Sequence, residues 1–320
     1  MGTLLPIASG KGGVGKSLVA VNIAIAMAAR GKTVVLVDLD LGGANLHTLM
    51  GIKNRHAGLG SLIHRRESSV EALVIETDIP HLFFIPGDAL LPGTANLEFF
   101  TKRKILRGLE ALPADYVIMD LGAGSSWNTV DFFLASSSGL LVTIPEVTAI
   151  LNAYSFLKTS LFRALFRAFP AKSPERALIA DFVSHKIEGS DESFAGLKTR
   201  LLNDYPARAS EAFSRIGVLW PRVIINMGRG NQDLATGSRL REISTRNLGM
   251  DMAYIGFLPR DEQVPRSVIE RRPLVLSRPQ NPFSQGIQRI AERILESPTP
   301  LVPVLYEDNE DLNALAEPAE

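Results

Sequence analysis

Ser9-Gly10-Lys11-Gly12-Gly13-Val14-Gly15-Lys16-Ser17 is the stretch on which the reading turns. An apolar run at residues 4–8 enters it, and a run rich in Ala, Ile and Val at residues 17–30 leaves it. The pattern predicts a short buried strand, a glycine loop and then a helix that is apolar nearly all round, stopping at Gly31. Pro6 is expected near the start of that strand, since proline cannot donate to a ladder. Gly10 and Gly15 are the glycines of a Gly-x-x-x-x-Gly-Lys-Ser pattern, and Gly12 and Gly13 add freedom. Without Cβ atoms the backbone can turn its N–H groups inward onto phosphate oxygens, and the helix adds its positive end. The expected nucleotide contacts are Gly10, Gly12, Gly13, Val14, Gly15, Lys16, Ser17 and Leu18. Lys16 reaches the β- and γ-phosphates and the Ser17 hydroxyl ligates Mg²⁺.

Further apolar runs at residues 33–37, 81–85, 116–119, 140–144, 223–225 and 253–256 read as strands with helical patterns between them. This alternation implies an α/β fold: three layers, a mostly parallel twisted sheet with helices on both faces, and a site at the carboxyl ends of the strands. Residues 1–296 read as one domain. A mostly helical elaboration at about 156–219 contains strand remnants or loops around residues 180–183. In it Phe156, Leu157, Leu161, Phe162, Leu165, Phe166 and Phe169 read as a core-facing stripe, with Arg163 and Arg167 pointing outward. The tail from Ser297 is acidic and carries Pro298, Pro300, Pro303 and Pro318, so it is expected to be extended or disordered.

Two more strands end in carboxylates. Val34-Val35-Leu36-Val37-Asp38-Leu39-Asp40 puts Asp38 and Asp40 on one side of a strand. Beside a magnesium–phosphate centre, one can hold metal-bound water and the other can orient the attacking water. Tyr116-Val117-Ile118-Met119-Asp120 brings a third carboxylate, suited to hydrogen-bonding water on Mg²⁺.

The loop's extra lysine, Lys11, gives Lys-Gly-Gly-x-Gly-Lys-[Ser/Thr], which resembles the deviant Walker A loop of the MinD/ParA family of P-loop ATPases. Residues 38–46 resemble that family's Asp-x-Asp-x-Gly-x-x-Asn-Leu stretch, and Pro145-Glu146-Val147-Thr148 its Pro-Glu-x-Thr stretch. Val223-Ile224-Ile225-Asn226 resembles the strand whose terminal Asn reads adenine. Tyr254-Ile255-Gly256-Phe257-Leu258-Pro259 is similar to the later strand and nucleotide-flanking loop. The resemblance covers roughly residues 3–150 and 220–295. It implies ATP and Mg²⁺ as cofactors and Lys11 crossing a dimer interface to the partner's nucleotide. It also implies Asp40 as the hydrolytic residue, Asp38 and Asp120 supporting the metal with Ser17, and Asn226 and Pro259 at the base. Residues 145–158 and 266–279 look most like FlhG members, with MinD second.

The chain has 320 residues, with Lys+Arg and Asp+Glu both 34 and no cysteine. Disulfides, thiolate metal sites and iron–sulfur clusters are therefore excluded, and with them the electron-transfer and cluster-carrier members of this fold. His47, His56, His64, His81 and His185 show no ligand spacing. No stretch approaches the ~20 apolar residues of a spanning helix, and the start lacks a signal peptide's basic region. The expected location is the cytoplasm, with transient association at the inner membrane surface implied by resemblance only. Phe283, Ile287, Ile290, Ile294 and Leu295, with Arg289 and Arg293 beside them, read as the last core helix rather than a membrane anchor. No glutamine-containing activation motif of the FlhG kind is found before the first strand, a departure from the resemblance that leaves a GTPase-stimulating role open. The expected function is a slow, partner-stimulated ATPase. It dimerises with ATP and positions an assembly, flagellar or septum-site in type, through a protein activator or cargo. The alternative is a DNA-partition ATPase using Arg266, Arg271 and Arg272.

Overall fold

Successive residues of the strands feed two different cores. Leu4 and Ala8, Val35 and Val37, and Val117 and Met119 pack on one face, while Leu5 and Ile7, Val34 and Leu36, and Ile118 pack on the other. A sheet buried on both sides requires this two-residue alternation with apolar side chains at every position. The computed structural model describes residues 2–53, 56–64, 67, 69–87, 97–187, 193–296 and 310–315. Its strands are β1 (Thr3–Ser9), β2 (Val34–Leu39), β3 (Ile75–Glu76), β4 (Leu82–Ile85), β5 (Tyr116–Ala123), β6 (Leu140–Thr143), β7 (Arg222–Gly228) and β8 (Ala253–Pro259). They form one sheet in the order β3-β4-β2-β5-β1-β6-β7-β8. Every pairing is parallel except that of β3 with β4. The seven expected strands are all present. β3 has two residues and stands at the end of the short apolar run Ala72-Leu73-Val74-Ile75, which was not among the expected strands.

Pro6 departs from expectation, for it stands mid-strand, opposite Met119 of β5. Thr3 N donates to Asp115 O on the β5 side, so the even-numbered residues of β1 face β6. The β1–β6 ladder starts only at Ile7, and no donor is missed at Pro6.

The helix Lys16–Ala28 is buried nearly all round. It is covered by the sheet on one side and by the helices Leu274–Ser277 and Pro282–Glu296 on the other. Buried Asn22 accepts from Val275 N at 3.0 Å and locks that layer. Phe283, Ile287, Ile290 and Ile294 are buried in the same core, as expected for a last core helix. The opposite face carries the helices Phe99–Ala111, Trp127–Phe133, Val147–Ala168, Pro174–Ile187, Phe194–Asp204, Pro206–Ile216 and Leu234–Leu248. Residues 180–183, expected as strand or loop, are helical. Ile179 and Phe182 are buried and the Phe182 ring stacks on Phe162 at 5.7 Å, so three-to-four-residue spacing toward the stripe decides the conformation.

Arg163 and Arg167 are also not simply outward. Both reach Asp131, at 2.7 and 3.1 Å, and Lys102 reaches it at 2.6 Å. Three helices thus converge on one buried carboxylate. Burial alone would raise its pKa, but the hydrogen bonds from Arg163 and Lys102 hold it below the ordinary carboxylate range. Its contribution to stability is therefore present above that range and is lost as pH falls through the lowered folded value. Asp131→Ala leaves buried Lys102 unpaired and is expected to cost about 3 kcal/mol of unfolding free energy. Urea titration of the variant checks this, and an unchanged midpoint contradicts it.

Candidate active site

β1 lies between β5 and β6, and the chain runs from it to β2 on one side and later to β6 on the other. The winding of the sheet reverses here, which opens a crevice beyond the carboxyl end of β1. Because the neighbours are parallel, the ends of β1, β2, β5, β6, β7 and β8 all come to the same edge.

Steric room shapes the glycine loop. A Cβ on Gly10 would stand 2.3 Å from the backbone of Asn152 in the helix Val147–Ala168. A Cβ on Gly15, which has a φ of 82°, would stand 2.4 Å from Asn226 Nδ2. Gly10 thus serves a close helix crossing, and Gly15 a left-handed turn under a neighbouring side chain. Val14 buries its side chain and offers its carbonyl to Asn226 Nδ2 at 2.8 Å. Ser9 Oγ donates to Lys11 O at 3.0 Å, and Gly124 N donates to Ser9 O at 2.9 Å. The helix opens at Lys16 with no side chain capping it. Its first-turn amides, those of Ser17 and Leu18 included, are left for an anion.

Lys16 points into the site and is 6% exposed, with Nζ 2.6 Å from Asp120 Oδ1 and 3.4 Å from Ser17 Oγ. Asp120 is wholly buried, and its Oδ2 accepts no hydrogen bond among the described residues. Burial pushes the Asp120 carboxyl up, against the pull of the Lys16 ammonium and the Ser17 hydroxyl. Asp38 stands beside it, in register on the adjacent strand. Its Oδ1 accepts from Asp40 N at 3.2 Å and its Oδ2 from Leu46 N at 3.0 Å. Burial first and the Asp120 carboxylate second push Asp38 up to about 7. Asp40 lies half-buried next to Gly122 and Gly43, close enough for its charge to act on both buried carboxylates. No three carboxylates or imidazoles among the described residues gather into a protein-only metal cage. The Ser17 hydroxyl and the Asp120 carboxylate, with its one orphaned oxygen, are nevertheless hard oxygen donors that suit a small cation such as Mg²⁺ held together with phosphate.

Lys11 does not point into the cradle. Its Nζ donates to Glu146 Oε2 at 2.9 Å and to Thr148 Oγ1 at 3.4 Å. Val147 and Leu151 beside it are 66% and 53% exposed. Asn226 spends its amide N–H on the loop itself, and Pro259 stands opposite Gly228 at the end of β8. The structure therefore brings all the expected site residues to one edge. Glu146 and Thr148 as partners of Lys11, and Asn152 as the wall behind Gly10, were not picked out from the sequence. The Pro-Glu-x-Thr spacing was the one available signal for the first two.

The CobQ/CobB/MinD/ParA nucleotide binding domain pattern matches residues 5–275. The chain is 27% identical over 299 residues to the flagellum site-determining protein YlxH of Helicobacter pylori, covering 90% of this chain and 80% of that one. It is 24% identical over 303 residues to the antiactivator FleN of Pseudomonas aeruginosa, covering 94% of this chain and 89% of that one. In fold it matches the septum site-determining protein MinD of Pyrococcus horikoshii, solved with Mg-ADP, with a TM-score of 0.63 and 20% identity over 92% of this chain and 96% of that one. With the glycine loop, the lysine pair and the strand-end carboxylates assembled on a parallel sheet of matching fold, the chain belongs to the CobQ/CobB/MinD/ParA family of nucleotide-binding P-loop ATPases.

Proposed function

We propose that the chain is an ATP-driven dimerisation switch that regulates the placement or number of a cellular assembly, of flagellar type. ATP is held by the amides of residues 10–18 and by Lys16. Mg²⁺, when bound, would neutralise charge on the phosphates. Ser17 would hold it, with Asp120 and Asp38 supporting its water shell, and Asp38 also braces the 40–46 loop by accepting from Asp40 N and Leu46 N. Asp40 orients a water for in-line attack on the γ-phosphorus. The water's oxygen bonds to phosphorus as the bridging P–O bond to ADP breaks, and the water's proton passes toward the Asp40 carboxylate.

The observation that carries the dimer is Lys11. A lysine in a phosphate loop that faces away from its own cradle, among exposed apolar residues, is arranged for a second molecule. ATP shifts the equilibrium toward the pair only through contacts that the pair alone makes, and a lysine reaching across to the partner's phosphates is such a contact. The flagellar and septum-site names of the relatives favour placement over DNA partition. Arg266, Arg271 and Arg272 are nevertheless exposed, and ATP-dependent, salt-sensitive DNA binding would favour partition.

Lys16→Ala is expected to abolish ATP binding in calorimetric titration while the far-UV circular dichroism is kept; normal affinity would sink the loop assignment. Asp40→Ala is expected to bind ATP but hydrolyse it at least about 100-fold more slowly, from loss of water positioning. Sizing runs should then show it trapped as a dimer with ATP, and a monomer there would refute the switch. Lys11→Ala should keep ATP affinity within a few-fold yet lose ATP-dependent dimerisation; a variant that still dimerises removes the trans role.

A further inference from the structure

The expected disorder of the tail does not hold for residues 310–315; residues 297–309 and 316–320 lie outside the described residues. Glu310–Asn313 forms one helical turn against β8. β8 ends the sheet. Ala253 N donates inward to Pro221 O, so the next amide, that of Tyr254, faces the open edge. Asp311 Oδ2 takes that amide at 2.6 Å and takes Arg241 Nη2 at 2.6 Å as well. Leu312, 1% exposed, seats against Gly237 in the helix Leu234–Leu248. A Cβ on Gly237 would meet Leu312 at 3.1 Å and Ile225 at 3.0 Å. Glycine is the poorest helix former after proline, and mid-helix it clears this seat.

The receiving groups are organised without the tail. Arg241 Nε donates to Asp251 Oδ1 at 3.1 Å, Arg241 Nη2 donates to Met252 O at 2.9 Å, and its guanidinium lies over the Tyr254 ring at 4.9 Å. When Asp311 leaves, Arg241 still has a carboxylate partner, so vacating the site strands no buried charge. A single helical turn has no stability of its own. Recognition therefore rests chiefly on one carboxylate accepting two donors and one leucine filling one pocket, with the half-buried Leu315 packing beside them.

We propose that the open edge of β8, with Arg241 and the Gly237 pocket, is a peptide-docking site for a short Asp-Leu segment. Its resident occupant is this chain's own residues 310–315, docked reversibly. The segment follows the helix Pro282–Glu296 by thirteen residues in the same chain, so its docking is intramolecular, and a tether of that order presents a segment at an effective concentration of about a millimolar. A free peptide with a dissociation constant of about 10 µM is then outcompeted roughly 100-fold in the intact chain.

The test uses the full chain carrying Asp311→Asn and Leu312→Ala, alongside the unaltered chain. The probe is a fluorescein-labelled synthetic peptide of residues 308–316, read by anisotropy. The expected result is micromolar binding to the variant and binding about 100-fold weaker to the unaltered chain. Hydrogen exchange at the Tyr254 amide should be slow in the unaltered chain, fast in the variant and slow again with peptide. Equal binding to both chains, no binding to the variant, or binding of a peptide carrying the same two substitutions overturns the proposal. So does unfolding of the variant at room temperature, because the segment would then be an integral part of the core.

Discussion

The Lys16–Asp120 pair, 2.6 Å long with both side chains almost wholly out of water, sets the terms for everything at the strand ends. Two charges taken from water recover that cost only when their remaining hydrogen-bonding capacity is also met. Here it is not: one Asp120 oxygen is left over, and Asp38 stands in register on the next strand with its pKa pushed up to about 7. An anion alone would draw Lys16 away and leave buried carboxylates uncompensated. A cation alone would compete with Lys16 for Asp120. A phosphate chain and a divalent cation arriving together give Lys16 and the carboxylates new partners at the same time, so a metal–nucleotide complex is the ligand whose charges match.

That local chemistry depends on the direction of the strands. In a parallel sheet every strand ends at the same edge, so residues as far apart in sequence as Gly10, Asp38, Asp120, Glu146 and Asn226 become neighbours without any long loop. The two faces carry different burdens. One holds the buried helix Lys16–Ala28 under the last core helix, a rigid backing for the phosphate loop. The other carries the helices of residues 147–216, tied to the sheet side through Asp131.

These features are legible in the sequence where local pattern and tertiary demand agree. Residues 9–17 announce a loop because strand, glycines and helix each leave a periodic or compositional trace. Asp38 and Asp120 announce themselves by ending apolar runs. The failures share a cause, which is that the deciding partner is remote. Pro6 is tolerated because β6 has not yet begun beside it. Residues 180–183 are helical because Phe162 lies opposite. Gly10 reads as a phosphate glycine, and the steric demand that Asn152 adds at the same position leaves no trace in the local sequence. Arg163 and Arg167 look solvated because the carboxylate that binds them lies more than thirty residues earlier. Residues 310–315 look disordered on composition, because acidic residues and prolines nearby say nothing of an arginine at 241.

The buried charges of the molecule separate into two kinds. Asp131 has three cationic partners, and Arg241 has two carboxylates and a carbonyl. Asp120, by contrast, is wholly buried and keeps an oxygen without a partner among the described residues. Saturated networks of the first kind hold elements together and gain nothing from a ligand. An unsaturated one is costly in a folded chain, and it persists where a ligand supplies the missing partner. An orphaned oxygen alone does not mark a site, since buried Glu175 also keeps an Oε2 without a partner among the described residues. At the carboxyl edge of β1 and β5 it coincides with the glycine loop and Lys16, whereas Asp131 is architecture. Arg241 stands between them: it is saturated with residues 310–315 docked, but one of its two carboxylates belongs to that proposed removable segment while the other keeps the site intact.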